Sequence, residues 1–347
     1  MWPWHWHRSR ARVALALQGG GAHGAFTWGV LDALLEHTAD PIVAASGTSA
    51  GAMNAVVLAH GLLEGGRDGA RAALASFWQA LGRVVPWDAL KMLASDGATL
   101  SPSGRWMLQM TQWLSPAHAN PLRVDPLRDL LARSVDFERL ARQRELALHI
   151  AATHANTGRL RVFRNAELSL DALMASACLP NLQPAVLIDG EPYWDGGFSA
   201  NPPVLPLLDV SGVDDLLLVM LNPWQLGETP QRADEIRART MEIAFTATYL
   251  REMQWIAQAA ATRVPWRRGS FERRAQRMHW HLIDGNDHLS ALPRDSKLIA
   301  HQPLLERLRD AGRERTLAWL SSHGAALGRR SSADLRILFG GHEPPTR

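Results

Sequence analysis

A serine between two glycines is the clearest candidate for chemistry in this sequence. Gly47-Thr48-Ser49-Ala50-Gly51 has the Gly-x-Ser-x-Gly spacing and follows an apolar run, Ile42–Ala45, that is typical of a buried strand. In a nucleophile elbow, such glycines permit a sharp strand-to-helix turn that leaves the serine hydroxyl exposed. The amides at the start of the next helix then face developing negative charge. The pattern predicts that Ser49 is a nucleophile for acyl transfer.

A glycine-rich loop precedes the elbow and supports two hypotheses. It follows the apolar run Val13–Leu17 and consists of Gly19, Gly20, Gly21, Ala22, His23 and Gly24. Such a loop can present amides to an oxyanion, but it also satisfies the Gly-x-Gly-x-x-Gly fingerprint of dinucleotide-dependent oxidoreductases. That fingerprint expects an acid at the end of the second strand, whereas Asp40 precedes the strand. The oxyanion hypothesis is therefore favoured, with the oxidoreductase as an alternative.

A candidate base for Ser49 comes much later, in Asp195-Gly196-Gly197. An aspartate on a tight glycine turn can approach a hydroxyl, although Asp-Gly turns are most often local capping motifs. The alternative base is His288, which follows the last predicted strand and would give a Ser-His-Asp triad esterase or an acyltransferase. Only one helix and one strand fit between the glycine loop and the elbow, which favours the Ser49–Asp195 dyad over that triad.

In this order, the three motifs resemble those of the bacterial patatin-like phospholipases. Ala175-Ser176-Ala177-Cys178-Leu179-Pro180 is similar to a further block of that family, and Ser296-Lys297-Leu298 to a segment of its bacterial members. The resemblance covers about residues 12–320. It implies a lipid acyl hydrolase without cofactor or metal, in which Asp195 takes the Ser49 proton and amides of residues 19–22 hold the oxyanion.

One position departs from the family pattern, because many members carry Arg or Lys where this chain has His23. A histidine with its ordinary pKa near 6.5 is mostly neutral at pH 7. We therefore expect the main-chain amides to remain functional and the activity to depend on pH. The alternative is that His23 is an ordinary surface loop residue.

The surrounding elements predict an α/β fold. Apolar runs predict strands at Val13–Leu17, Ile42–Ala45, Leu146–Thr153, Leu160–Phe163, Leu216–Leu221 and His279–Ile283, with a hairpin around Asp189-Gly190. Helical spacing predicts helices at Ala25–Glu36, Ala50–Leu63, 231–262 and 302–320. Together with the resemblance, this order predicts a mostly parallel central sheet sandwiched by helices, the patatin-like three-layer architecture. We expect an N-terminal tail (1–11), one acyl hydrolase domain (12–325) and a C-terminal tail (326–347).

The basic balance of the chain does not by itself indicate a nucleic-acid partner. The net charge is +3 over 347 residues, and 34 acidic residues are interleaved with 37 basic ones, nearly all of them arginine. Basic and aromatic residues cluster at residues 1–12 and 263–280, where they would suit an anionic membrane surface. We expect a lipid or acyl-ester substrate, no nucleic acid, and peripheral membrane contact as a further hypothesis; the oligomeric state stays open.

Cellular location and metal content are predicted from what the sequence lacks. No apolar run reaches the roughly 18–20 residues that span a bilayer, and residues 1–12 lack the apolar centre of a signal peptide. This indicates a cytoplasmic protein, with or without peripheral attachment to a membrane. The single cysteine, Cys178, excludes an intramolecular disulfide and has no metal-ligand spacing around it.

Tryptophan is unusually frequent, with 14 residues against eight phenylalanines and two tyrosines. Four of these tryptophans fall between the elbow and the aspartate: Trp78, Trp87, Trp106 and Trp113. They could line an acyl pocket or a lid, or they could simply pack in the core.

Overall fold

The computed structural model describes residues 11–84, 101, 125–222, 229–262 and 270–340. The strands are β1 (Val13–Leu17), β2 (Ile42–Gly47), β3 (Ala147–His154), β4 (Leu160–Arg164), β5 (Val186–Ile188), β6 (Glu191–Asp195), β7 (Asp215–Met220) and β8 (His279–Asp284). The helices are α1 (Gly24–His37), α2 (Ala50–Val84), α3 (Pro126–Ser134), α4 (Phe137–Arg142), α5 (Leu170–Ser176), α6 (Leu205–Leu208), α7 (Ala233–Ala261), α8 (Ser270–Arg277), α9 (Asn286–Leu289), α10 (Gln302–His323) and α11 (Leu335–Phe339).

Within the described residues the strands form one mixed, mostly parallel sheet in the order β5-β6-β3-β2-β1-β7-β8. Parallel pairing joins β3, β2, β1, β7 and β8, whereas β4 and β6 run antiparallel to β3 and β5 runs antiparallel to β6. In the β1–β2 register, Leu17 lies opposite Gly47. The glycine loop after β1 and the serine turn after β2 therefore lie side by side at the carboxyl ends of the parallel strands.

Helices cover both faces of this sheet because successive side chains of a strand point to opposite faces. On β1, Leu15 and Leu17 join the core formed with α1, α2, α5 and α10, whereas Ala14 and Ala16 join the core formed with α6, α7 and α11. The predicted three-layer α/β architecture is confirmed. The central strands are buried on both faces, which explains why they appear in the sequence as continuous apolar runs.

The predicted elements agree with the structure. The sequence places the end of the helix after the elbow at the two glycines, and α2 consists of two helical stretches that meet there. Gly65 and Gly66 have non-helical backbone angles, with Gly66 at φ +60°. The pair of glycines therefore ends the first stretch, and a second stretch continues to Val84.

Much of the segment assigned to a C-terminal tail packs on the sheet. α11 buries Leu335 and Phe339, and the Phe339 ring lies 5.8 Å from that of Tyr249. Before α11, the Gly328 amide donates to Asp215 Oδ1 (2.9 Å). Residues 1–10 of the N-terminal tail lie outside the described residues, whereas Ala11 is buried and donates its amide to Asp40.

A buried polar cluster ties this C-terminal segment to β7 and β8. Asp215 and His281 are fully buried, and their Oδ1 and Nε2 atoms lie 2.7 Å apart. On its other side, the His281 ring lies 2.8 Å from the Ser332 hydroxyl. Buried polar groups stabilise a fold only while they remain paired, so Asp215 is the acceptor on which the buried His281 ring and the partly buried Gly328 amide depend.

We predict that Asp215→Ala destabilises the protein strongly, because it leaves His281 Nε2 and the Gly328 amide without an acceptor. Each buried unpaired donor costs about 1–3 kcal/mol. Urea unfolding at neutral pH should report the sum. The control is Asp209→Ala, which removes an exposed carboxylate paired with Arg274 at 2.7 Å and should cost under about 1 kcal/mol. Equal losses in the two variants would contradict the stabilising role of the cluster.

Candidate active site

Ser49 lies on a strained turn between β2 and α2. Its φ is +53°, a left-handed conformation that a non-glycine residue adopts at a cost of about 1–3 kcal/mol. The turn is closed by a hydrogen bond from the Gly51 amide to the Thr48 carbonyl (2.8 Å). A side chain at Gly51 would collide with the Leu17 carbonyl, so only glycine lets α2 begin this close to the end of β1. The half-buried Ser49 therefore lies beside the glycine loop.

Asp195 reaches the serine because β2 and β6 pair with successive parts of the same side of β3. β2 pairs with β3 up to Gly47–Ile150, and β6 pairs with β3 from Ala152–Asp195 onward. β4 occupies the other edge of β3 over residues 149–153, so β6 continues the edge along which β2 runs. The end of β6 therefore brings Asp195 to the carboxyl end of β2, where Ser49 lies.

The Asp195 carboxylate accepts a hydrogen bond from the Gly197 amide at 2.7 Å. Asp195 is only 2% exposed. Burial raises the pKa of this carboxyl to about 7, although the Gly197 amide and the neighbouring Ser49 side chain act in the opposite direction. The structure thus brings together a serine hydroxyl and a carboxylate whose ionisation occurs near neutral pH.

Two side chains whose contacts the sequence does not predict hold the serine turn in place. The buried Ser176 hydroxyl accepts the Ser49 amide hydrogen at 3.0 Å, and Thr48 Oγ1 donates to the Ala200 carbonyl at 2.7 Å. Ser176 belongs to the Ala-Ser segment that resembles a block of the family, and this resemblance is the sequence signal that marks Ser176. These bonds connect the turn to α5 and to the segment after Asp195.

The glycine loop leaves some of its main-chain amides without an acceptor among the described residues. The Gly19 amide donates to Asn201 Oδ1 at 2.7 Å, and the His23 amide donates to the Gly20 carbonyl at 3.2 Å. Among the described residues, no acceptor is found for the amides of Gly20, Gly21 and Ala22. Gly21 is exposed and has φ +58°. The expected donor set of residues 19–22 is therefore reduced to residues 20–22, because Asn201 occupies the Gly19 amide.

His23 is not a surface residue, and that alternative is wrong. Its ring is 2% exposed, and Nε2 lies 2.7 Å from the hydroxyl of the buried Ser296. Burial, assisted by the positive charge of Lys297, lowers the pKa of His23 to about 3. The imidazole is therefore neutral throughout the physiological pH range, and it connects the glycine loop to the Arg294–Leu298 turn.

The residues needed by the two alternative sites lie elsewhere. The His288 ring is in α9 with its centroid 6.4 Å from that of Phe26, and no histidine is found hydrogen-bonded to Ser49 among the described residues. Asp40 precedes β2 and therefore lies at the amino-terminal ends of β1 and β2, whereas the glycine loop lies at their carboxyl ends. There the Asp40 carboxylate accepts a hydrogen bond from the Ala11 amide. It is too distant from that loop to contact the ribose of a dinucleotide bound there.

Trp78 packs in the core and not in a pocket. Its side chain is 2% exposed, and Nε1 donates to Asn54 Oδ1 at 2.9 Å, while Asn54 donates to the Gly24 carbonyl. Trp78 thereby supports the start of α1 behind the glycine loop. Trp87, Trp106 and Trp113 lie outside the described residues, as do residues 263–269 of the basic cluster at 263–280.

Two absences apply to the described parts of the chain. No group of three or more histidine, cysteine, aspartate or glutamate side chains there has a metal-binding arrangement. No helix there is sufficiently long and apolar to cross a bilayer.

Two proteins of known structure are similar to this chain. VipD from Legionella pneumophila is 14% identical, with a TM-score of 0.43 over 91% of this chain and 67% of VipD. ExoU from Pseudomonas aeruginosa, solved as a heterodimer with SpcU, is 18% identical, with a TM-score of 0.31 over 89% of this chain and 53% of that chain. This chain thus spans about half the length of ExoU. No curated protein sequence matches it. The family profile described as patatin-like phospholipase matches residues 15–208, more than half of the chain, and the chain therefore belongs to the patatin-like phospholipase family.

Proposed function

We propose that this protein is a serine hydrolase that cleaves carboxylic esters of lipids, with Ser49 as nucleophile and Asp195 as general base. The observation that carries the proposal is that the buried Asp195 carboxylate, at the end of β6, lies at the carboxyl end of β2 next to the Ser49 side chain. Membership in the patatin-like phospholipase family supports lipid esters, such as phospholipids or lysophospholipids, as the substrate class.

The chemistry follows from the positions of three groups. Ser49 Oγ attacks the ester carbonyl while its proton passes to Asp195, and the tetrahedral oxyanion accepts hydrogen bonds from the amides of residues 20–22. Collapse of this intermediate expels the alcohol, which takes the proton back from Asp195. Water then attacks the acyl-enzyme, with Asp195 again as base, and restores Ser49. No cofactor takes part in these steps.

The unusual pKa of Asp195 supports this role. A carboxylate with an ordinary pKa near 3.9 is a weak base at neutral pH, so it would accept a serine proton inefficiently. A general base works best when its pKa lies near the operating pH, and the pKa of Asp195 is about 7. Burial therefore allows a carboxylate to take the role that histidine has in a triad.

Peripheral contact with a membrane also belongs to this proposal, because lipid esters are presented mainly in bilayers and micelles. α7 contributes Phe245, whose ring lies 4.5 Å from Phe198, just after the Asp195 turn. The same helix exposes Ile236, Met241 and Ile243. Exposed apolar side chains on a helix that contacts the Asp195 turn suit contact with the substrate surface.

We predict that Ser49→Ala and Asp195→Asn each lower ester hydrolysis at least 1,000-fold while the protein stays folded, because loss of the nucleophile or its base removes covalent catalysis. The measurements are hydrolysis of a lipid panel, fluorophosphonate labelling of Ser49, and circular dichroism. The matched control is His288→Ala, for which activity should remain within about threefold of wild type. A large loss in this control, with the fold intact, would establish a triad instead of the dyad.

We further predict an acidic limb in the pH profile that reports Asp195. Only the ionised carboxylate can accept the Ser49 proton, so kcat/KM should fall about tenfold per pH unit below the pKa of about 7 and reach a plateau above it. His23 should add no inflection near neutral pH, because its pKa is about 3. The measurement uses a soluble ester between pH 5 and 9. A flat profile across pH 5–8 would exclude Asp195 as the base.

A further inference from the structure

The turn Arg294–Leu298 lies directly on the glycine loop, although it belongs to the part of the chain beyond residues 15–208. Ser296 is hydrogen-bonded to the His23 ring at 2.7 Å. The Lys297 carbonyl lies so close to Gly21 that any side chain at Gly21 would collide with it. The turn therefore holds the loop from outside, opposite the serine turn, where a Gly19 side chain would come within 2.6 Å of the Thr48 carbonyl.

The Lys297 side chain starts a short chain of hydrogen bonds that ends on the loop. Its ammonium donates to Asn222 Oδ1 at 2.6 Å, and Asn222 Nδ2 donates to the Gly19 carbonyl at 3.4 Å. The two bonds require the same orientation of the Asn222 side-chain amide, with Oδ1 toward Lys297 and Nδ2 toward Gly19, because the ammonium can only donate and the carbonyl can only accept. The Asn222 backbone amide is held by Gln18 Oε1 at 2.9 Å, which keeps the asparagine in this position.

The receiving carbonyl belongs to the peptide that joins Gly19 to Gly20, and the amide of that same peptide is a candidate oxyanion donor. Hydrogen bonds that run in one direction polarise each other, so a carbonyl that accepts a bond makes its own N–H a better donor. The bonds from Lys297 to Asn222 and from Asn222 to Gly19 point in this common direction, toward the Gly20 amide.

Lys297 is also the positive charge next to a loop whose own side chains provide none. His23 is neutral, since its pKa of about 3 is depressed by burial and by Lys297 itself. The carboxylate of Glu242 lies 3.9 Å from the Lys297 ammonium and is also 3.4 Å from Arg239. An ammonium that is partly buried and held by an asparagine acts on the loop with less screening than a surface lysine.

We propose that Lys297 is a positioning residue for ester hydrolysis, which orients and polarises the Gly19–Gly20 peptide through Asn222 so that the Gly20 amide stabilises the oxyanion. The inference rests on the proposed function, because it assigns a role within the same site. It also explains how the loop works with a neutral histidine at position 23.

The decisive experiment compares four variants on a soluble p-nitrophenyl ester, with kcat and KM measured separately. Lys297→Met should lower kcat about 10–100-fold with KM within twofold, because the effect acts on the oxyanion and not on substrate binding. Lys297→Arg should recover most of this loss. Asn222→Asp still accepts from Lys297 but cannot donate to the Gly19 carbonyl, so it should lower kcat as Lys297→Met does while the Arg294–Leu298 turn stays attached.

The matched control is Glu242→Gln, which removes the negative charge beside Lys297 and should leave kcat within threefold of wild type. Wild-type kcat in both Lys297→Met and Asn222→Asp would overturn the inference, and so would a loss in Lys297→Met that is accompanied by an intact Asn222→Asp. If Lys297→Met does not fold, Asn222→Asp and Lys297→Arg decide between the same outcomes. Ser49→Ala distinguishes failure of the proposed function from failure of the Lys297 role. If Ser49→Ala remains active, the proposed function fails. If Ser49→Ala is inactive while the Lys297 and Asn222 variants keep wild-type kcat, only the role of Lys297 fails.

Discussion

The burial of Asp195 beside Ser49 is the constraint on which the proposed site depends. A carboxylate at the surface would have an ordinary pKa, and its oxygens would accept hydrogen bonds from water. Burial raises the pKa of Asp195 to about 7, so the same carboxylate becomes a base suited to neutral pH. The protein bears the cost of this burial, because an ionised buried carboxylate is unfavourable, and the Gly197 amide and Ser49 hydroxyl offset only part of that cost.

The sheet is what makes that burial possible. The glycine loop and the serine turn lie at the carboxyl ends of the parallel strands β1 and β2. The antiparallel β6 runs toward these ends from the opposite direction, paired with β3. An aspartate on one more parallel strand would leave the sheet alongside the serine turn instead of pointing back into it. The mixed sheet thus has a chemical consequence, since the antiparallel strand closes the site from its far side and excludes water from Asp195.

The fold could be predicted from the sequence because its signals are local, and the proposal of Ser49 and Asp195 rests on signals of the same kind. Apolar runs and glycine turns mark the strands, and the spacing around Ser49 marks its turn. The contacts of Asn201, Asn222 and Ser176 could not be predicted, because an isolated asparagine or serine carries no pattern and its role depends on which distant segment it meets. His23 shows the same limit, since its burial depends on Ser296, 273 residues later in the chain.

These distant contacts imply that the proposed site is larger than the segment matched by the family profile. Ser49, Asp195 and Asn201 lie within residues 15–208, but Asn222 and Ser296 lie beyond them and still contact the glycine loop. A neutral histidine at position 23 is acceptable only if the later segment supplies charge and order to the loop. The residue at position 23 and the Arg294–Leu298 turn are therefore coupled, and a substitution in one has to be judged together with the residues present in the other.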